Sequence, residues 1–180
     1  AAMAQKIRMI RDHGQATKYY HDVEGYNGRL DAIQAGFLSI KLRRLAGWNE
    51  KRQQAADIYR RLLEPMKEVV GLPTEPSWSK AVYHLFVVRV QAREALQKTL
   101  GEANIGTGIH YPIPLHLQKA YSGLGYQSGS FPVTEKVARE ILSLPMFPGL
   151  SEAQQVQVVE RMSEFLSVKA TAGALAGINL

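Results

Sequence analysis

Apolar residues recur with the period of an α-helix through the first third of the chain. Met3, Ile7 and Ile10 have this spacing and predict a first helix, which ends close to Gly14. The same period returns after a polar and aromatic stretch. The predicted elements are a helix over residues 1–11, a loop over 15–28, and helices over 30–45 and 49–63 that are separated at Gly47.

From about residue 69 the pattern changes to short runs rich in β-branched and aromatic residues, which are typical of strands. Ser151 and Gln154 form a capping box that predicts the start of a last helix. The predicted order is a strand over 83–90, a helix over 93–100, a strand over 108–111, a long ordered loop over 115–130, a helix over 132–142 and a strand over 144–147. This order predicts a small α+β layer.

Composition places the chain among ordinary globular proteins. Its 180 residues are 46% hydrophobic and 21% charged, which is enough to bury one core. No window approaches the roughly 18 to 20 consecutive apolar residues of a membrane-spanning helix, and no targeting segment is recognisable, so a cytoplasmic protein without a membrane partner is expected. The chain has no cysteine, which excludes disulfides and thiolate nucleophiles.

The net charge of +6 raises the hypothesis of a basic nucleic-acid-binding domain. The basic residues cluster at 41–44 and 51–61, but apolar residues interrupt both clusters at helical spacing. This pattern favours the solvated faces of two amphipathic helices. A modest positive charge also favours a small anionic substrate.

Histidines are the natural candidates for catalysis or metal binding. His110 and His116 flank two prolines that keep the backbone extended, so their rings need not converge on one ion, and no metal site is predicted. His84 lies inside an apolar strand and is interpreted as structural. The glycine-containing segment 104–109 runs from a helix into a strand, which is the wrong order for a phosphate loop. Side-chain chemistry alone therefore predicts no more than an α+β domain.

Four ordered motifs carry a resemblance to a known family. They are KIRMIRDHG at residues 6–14, GYNGRLDAIQA at 25–35, GIHYPIPLH at 108–116 and LSLPMFP at 142–148. Over about residues 4–166 the chain resembles the DegT/DnrJ/EryC1/StrS family of sugar aminotransferases. The resemblance implies an α/β, fold-type I architecture, of which this chain would be the C-terminal part with an α+β layout of its own.

The resemblance also implies a domain organisation. Residues 1–66 would form the end of the large domain together with the interface helices, and residues 67–166 would form the small C-terminal α+β domain. Residues 167–180 are expected to be a flexible tail, since their Ala/Gly-rich sequence has no convincing period.

The activity implied by the resemblance requires pyridoxal 5'-phosphate. The intact enzyme would be a homodimer that transfers an amino group, commonly from glutamate, to a keto sugar linked to a nucleotide. In the family, the lysine that binds the cofactor covalently lies upstream of the segment resembling residues 4–14. No catalytic residue is therefore expected in this chain, which alone would be inactive.

The resemblance assigns roles to a few residues. Asn27 corresponds to an asparagine that reaches across the dimer interface to the phosphate of the partner's cofactor; the alternative is a turn made with Gly28. His110 and Tyr111 resemble positions near the nucleotide-sugar pocket, with strand-end packing as their alternative. Arg29 would organise the following helix or the interface. A regulatory or scaffolding relative without cofactor is an alternative for the protein as a whole.

Overall fold

The computed structural model describes the backbone of residues 1–176 and the side chains of residues 1–167. The chain divides into two compact units, Ala1–Ala46 and a second unit that begins at Gly47. The boundary between the compact units therefore precedes the division at residues 66 and 67 predicted from the sequence. That division concerns the domains of an intact enzyme and stays a prediction.

The first unit contains helix α1 (Ala2–Arg11) and a short antiparallel hairpin of β1 (Gln15–Thr17) and β2 (Tyr20–His21). The sequence predicted only a loop in the place of this hairpin. Gly14 makes the tight connection from α1 into β1 possible, because it adopts φ +78° and a Cβ there would lie 1.6 Å from the Val23 carbonyl oxygen.

Helix α2 (Ala32–Leu63) is one continuous helix. The side chain of Asp31 caps its start by accepting the Ile33 N–H at 2.9 Å and the Gln34 N–H at 3.2 Å. The prediction of two helices separated at Gly47 is wrong. A glycine inside a helix costs only about 1 kcal/mol relative to alanine, and good helix formers on both sides offset that cost.

The second unit is built on a two-stranded antiparallel sheet of β3 (Phe86–Arg89) and β4 (Ile141–Leu144). Single bridges extend it on both edges, from Gly71 to Arg89 and from Gly108 to Ser143. The predicted strand over 108–111 is thus reduced to one bridge. The strand predicted over 144–147 is displaced to 141–144, because Pro145 has no N–H with which to continue the ladder.

The second unit also contains α3 (Arg93–Glu102) and α4 (Pro132–Glu140), which contact the sheet, and α5 (Glu152–Ala176), which packs against α3. Helix α4 ends before Ile141, not at Leu142 as predicted, since both residues belong to β4. The predicted capping box is confirmed, with the Gln154 N–H donating to Ser151 Oγ at 3.3 Å and the Ser151 N–H donating to Gln154 Oε1 at 2.9 Å. The fully buried core side chains include Tyr59, Leu63, Phe86, Val88, Leu96, Leu100, Leu142 and Met162. The predicted α+β layout is confirmed.

The loop over 115–130 contains two 3-10 helices, Leu115–Leu117 and Lys119–Leu124, where one helical turn was predicted. Helix α5 continues to Ala176 and so includes much of the segment interpreted as a tail; residues 177–180 of that segment lie outside the described residues. No helix in the described part of the chain is long and apolar enough to cross a membrane.

Candidate functional site

Asn27 lies in the first unit, where the chain returns past the end of α1. It forms an antiparallel bridge with Asp12, the residue that follows the last turn of the helix. Two backbone hydrogen bonds flank this bridge: the His13 N–H donates to the Tyr26 carbonyl at 3.0 Å, and the Gly28 N–H donates to the Arg11 carbonyl at 2.7 Å. In such a pair the opposed side chains approach each other closely. The backbone around Asn27 is therefore fixed, while its side chain is exposed.

The Asn27 side chain contacts Arg29. The guanidinium Nε donates to Asn27 Oδ1 at 3.3 Å and also lies 3.5 Å from Asp12 Oδ1. Asp12 Oδ1 is buried and has no hydrogen-bond partner among the described residues. The three side chains thus form one small cluster, which the sequence did not predict because Asp12 is distant from Asn27 and Arg29 along the chain.

The Asn27 amide is suited to bind an anion. Its oxygen is occupied by Arg29, and its NH2 group forms no hydrogen bond within the described part of the chain. A neutral NH2 group can donate to a phosphate oxygen without adding charge. The amide is therefore compatible with the contact to the phosphate of pyridoxal phosphate that the sequence resemblance implies for Asn27, and that role stays a prediction.

His110 and Tyr111 lie in the second unit, just after the bridge from Gly108. His110 Nδ1 is 2.9 Å from Ser143 Oγ, and Ser143 is buried in β4. A Cβ on Gly108 would lie 2.7 Å from His110 Cε1, so glycine is what allows the imidazole to lie against the backbone. The ring is therefore held on one edge, and its Nε2 is the nitrogen left to contact a ligand.

The Tyr111 ring packs edge-on against His110, with 5.6 Å between ring centroids. Tyr111 is 74% exposed, and its hydroxyl forms no hydrogen bond with other described residues. A mainly apolar groove of about 350 Å³ begins beside it; its walls include Ile113, Leu115, Val133, Val137 and Ile141. The rings of His110 and Tyr111 are thus in contact, and Tyr111 also lines this groove.

A second cluster in the same unit, missed from the sequence, organises the long loop. Glu135 of α4 accepts the Gly129 N–H at 2.8 and 2.9 Å, the Phe131 N–H at 3.3 Å and a contact from His116 Nε2 at 3.0 Å. The Gly129 N–H, followed by His116 and Phe131, holds the pKa of Glu135 below its usual range against the opposing effect of burial. The only feature of the sequence that pointed to this cluster was a carboxylate in the first turn of a helix.

No group of three or more His, Cys, Asp or Glu side chains among the described residues is arranged to hold a metal ion. Each lysine whose side chain is described is exposed. The candidate site residues offer hydrogen-bonding groups, from Asn27 in one unit and from His110 and Tyr111 in the other.

Comparison with known proteins gives the same family as the motifs. The model of the DegT/DnrJ/EryC1/StrS aminotransferase family matches residues 1–163. A pleiotropic regulatory protein from Geobacillus stearothermophilus is 48% identical over 164 residues, which is 91% of this chain and 44% of that protein. The dTDP-3-amino-3,6-dideoxy-alpha-D-galactopyranose transaminase of Aneurinibacillus thermoaerophilus is 43% identical over 166 residues, or 92% of this chain and 44% of that protein.

Solved structures agree. DesV of S. venezuelae superimposes with a TM-score of 0.85 at 39% identity, covering 91% of this chain and 44% of DesV. An aminotransferase from Brucella abortus gives a TM-score of 0.80 at 36% identity, covering 92% of this chain and 44% of that one. The chain spans less than half the length of these relatives, and the expected fold class is confirmed. The chain therefore belongs to the DegT/DnrJ/EryC1/StrS aminotransferase family and covers the C-terminal portion of its fold.

Proposed function

We propose that the intact protein is a pyridoxal-phosphate-dependent aminotransferase that converts a nucleotide-linked keto sugar into the amino sugar, with glutamate as amino donor. The observation that carries the proposal is the family match over residues 1–163, shared with relatives named as transaminases of dTDP-linked sugars. A relative from Pseudomonas aeruginosa, 36% identical over 151 residues, is named UDP-2-acetamido-2-deoxy-3-oxo-D-glucuronate aminotransferase. All of these names describe enzymes that act on a sugar linked to a nucleotide, but the sugar differs from one name to the next.

Asn27 contributes to cofactor binding in this proposal. When bound, pyridoxal phosphate supplies the electron sink on which amino transfer depends. The Asn27 NH2 group donates a hydrogen bond to its phosphate in the other subunit of a homodimer, as the family resemblance implies. The unpartnered NH2 group on a fixed, exposed turn supports this role.

His110 and Tyr111 contribute to substrate binding. With Nδ1 held by Ser143, the imidazole presents Nε2, and the exposed phenol presents its hydroxyl. Both groups can hydrogen-bond the sugar hydroxyls or the diphosphate of a nucleotide sugar. The catalytic lysine is expected in the part of the family fold that this chain does not span, so the 180-residue chain alone is inactive.

A direct test uses the full-length protein with pyridoxal phosphate, L-glutamate and a panel of dTDP- and UDP-linked keto sugars. We expect 2-oxoglutarate and an amino sugar to form in equal amounts, detected by mass spectrometry, with no product when glutamate is omitted. Absence of both products across the panel, with cofactor bound, would contradict the proposed substrate class.

A regulatory relative without cofactor is the second candidate function. Two relatives carry regulatory names: the Geobacillus protein, and the erythromycin biosynthesis sensory transduction protein EryC1 of Saccharopolyspora erythraea, 44% identical over 160 residues. Absorbance titration separates the candidates, because only the aminotransferase binds pyridoxal phosphate stoichiometrically. A full-length protein that shows no saturable spectral change would favour the regulatory candidate.

A further inference from the structure

We propose that Arg29 is a positioning residue that orients the Asn27 amide toward the cofactor phosphate, and that Asp12 holds Arg29 in place for this task. The inference rests on the proposed phosphate-binding role of Asn27. It assigns Arg29 and Asp12 a function beyond that of shaping the turn or starting the following helix.

The chemistry of the guanidinium fixes which way the amide faces. A guanidinium carries only donors, whereas the asparagine amide has an acceptor oxygen on one side and an NH2 donor on the other. Arg29 Nε lies 3.3 Å from Oδ1, so the oxygen must face Arg29. The NH2 group then projects from the opposite side of the same planar group. A donor that has no other partner is what a phosphate oxygen requires.

Asp12 explains why Arg29 stays in this position although its side chain is 59% exposed. The buried Asp12 Oδ1 lacks any hydrogen bond from the described residues and lies 3.5 Å from Arg29 Nε. The Asp12 side chain as a whole is 35% exposed, but this one oxygen is shielded from water, so an uncompensated charge there is disfavoured and a neighbouring guanidinium is favoured. The Nε–H group is thereby held between the carboxylate oxygen and the amide oxygen.

The benefit of this arrangement is preorganisation. The terminal torsion of an asparagine is broad, and an exposed amide samples many orientations. Holding such a side chain before the ligand arrives removes much of its ordering cost, which corresponds to about a two- to tenfold gain in affinity. Asp12 also offsets the charge of Arg29. The group that meets the phosphate is therefore the neutral amide, and Arg29 acts through it.

Binding measurements on the full-length protein test this inference. The dissociation constant of pyridoxal phosphate is measured for the parent, Asn27→Ala, Arg29→Gln and the double variant. We expect Arg29→Gln alone to weaken binding about two- to tenfold. In the Asn27→Ala background it should have no further effect, because the group that Arg29 orients is gone.

The outcomes separate the two proposals. Additive losses in the double variant would show that Arg29 touches the phosphate itself and would overturn the inference while leaving Asn27 in its role. Unchanged affinity in Arg29→Gln, with weakened binding in Asn27→Ala, would also overturn it. Unchanged affinity in Asn27→Ala would refute the proposed role of Asn27 and the inference with it.

A second measurement does not depend on activity. In full-length protein labelled with ¹⁵N-asparagine, the Asn27 side-chain amide is assigned by its loss in Asn27→Ala, and its relaxation reports its order. We expect greater mobility of this amide in Arg29→Gln and in Asp12→Asn, and parent-like order in Arg44→Gln, an exposed arginine on α2. Parent-like order in Arg29→Gln would overturn the inference even if that variant binds cofactor poorly.

Discussion

His116 Nε2 lies 3.0 Å from a carboxylate oxygen of Glu135, and both side chains are more than nine-tenths buried. The same carboxylate accepts the backbone N–H groups of Gly129 and Phe131. One side chain of α4 therefore fixes a histidine at the start of the 115–130 loop and the backbone at its end. The loop is ordered around a buried acid, although many of its side chains are exposed.

Replacing this acid should reduce stability in a pH-dependent manner. The folded state lowers the pKa of Glu135, so the charged form contributes stability that is present above the unfolded-state pKa of about 4.3 and is lost as the pH falls below it. Glu135→Gln should be less stable at neutral pH, and the difference in unfolding free energy from the parent should shrink between about pH 5 and pH 3.

Urea denaturation of the two proteins across this range checks the prediction. The matched control is Glu160→Gln, which changes an exposed carboxylate on α5. A stability difference that stays constant, or grows on acidification, would contradict the assigned role of Glu135.

The contact between His110 and Ser143 predicts a specific effect on substrate binding. Ser143→Ala removes the buried hydroxyl that holds His110 Nδ1 at 2.9 Å. In the full-length enzyme the KM for the nucleotide sugar should rise about three- to tenfold, as expected for the loss of one hydrogen bond of about 1 kcal/mol. Cofactor affinity should not change. Steady-state kinetics with Ser39→Ala as an exposed control provide the measurement, and an unaltered KM would remove His110 from the substrate site.

The first half of α2 predicts self-association of the 180-residue chain. Two rows of exposed apolar side chains follow helical spacing there: Ile33, Phe37 and Ile40, and Leu38, Leu42 and Leu45. Apolar patches of this kind mark surfaces that are normally covered. Sedimentation should show oligomers, and Phe37→Gln with Leu42→Gln should weaken association at least about tenfold through lost apolar burial, unlike Lys41→Gln. A monomer at all concentrations would argue against a covered surface.

From the sequence, this surface of α2 was indicated only by the family resemblance, which implied interface helices within residues 1–66. Its apolar spacing indicated an amphipathic helix, but the residues on α2 before Gly47 are exposed on almost every side in the described structure. Helical period alone could not reveal the continuity of α2, because a glycine predicts a break by its propensity while the flanking residues determine the outcome.

Candidate site residues that belong to the family motifs were identified from the sequence. Contacts that join distant segments of the chain were not. Asn27, His110 and Tyr111 were chosen from the family motifs, and their roles stay predictions. Arg29 was assigned to the following helix or the interface. Its contacts with Asp12 and Asn27 depend on the bridge that brings residues 12 and 27 together, which no local pattern encodes.

Trapping of the cofactor with borohydride tests the expectation that the lysine that binds pyridoxal phosphate lies outside this chain. The chain has ten lysines, and those with described side chains are all exposed, without the enclosed site that would stabilise a covalent link to pyridoxal phosphate. Borohydride treatment of the 180-residue chain with pyridoxal phosphate should give only weak labelling scattered over several lysines. One stoichiometric pyridoxyl-lysine found by peptide mass spectrometry would place a functional cofactor lysine in this chain.

Loss of the Asn27 amide should weaken cofactor binding without affecting folding. In the full-length dimer, Asn27→Ala removes one hydrogen bond to a charged group, worth about 1.5–3 kcal/mol, so affinity for pyridoxal phosphate should fall about ten- to a hundredfold. The unfolding midpoint should barely change, because alanine on an exposed turn opens no cavity.

Mixed dimers test most directly whether this chain completes the cofactor site of a second subunit. One subunit carries Asn27→Ala and keeps the cofactor lysine, while the other keeps Asn27 and has that lysine replaced. The pyridoxal phosphate affinity of the single lysine-bearing site is then measured. If Asn27 acts across the interface, that site receives the amide from the other subunit and keeps near-parental affinity. A ten- to hundredfold weaker affinity at that site, by the same estimate of about 1.5–3 kcal/mol, would show that Asn27 serves its own subunit and would contradict the account.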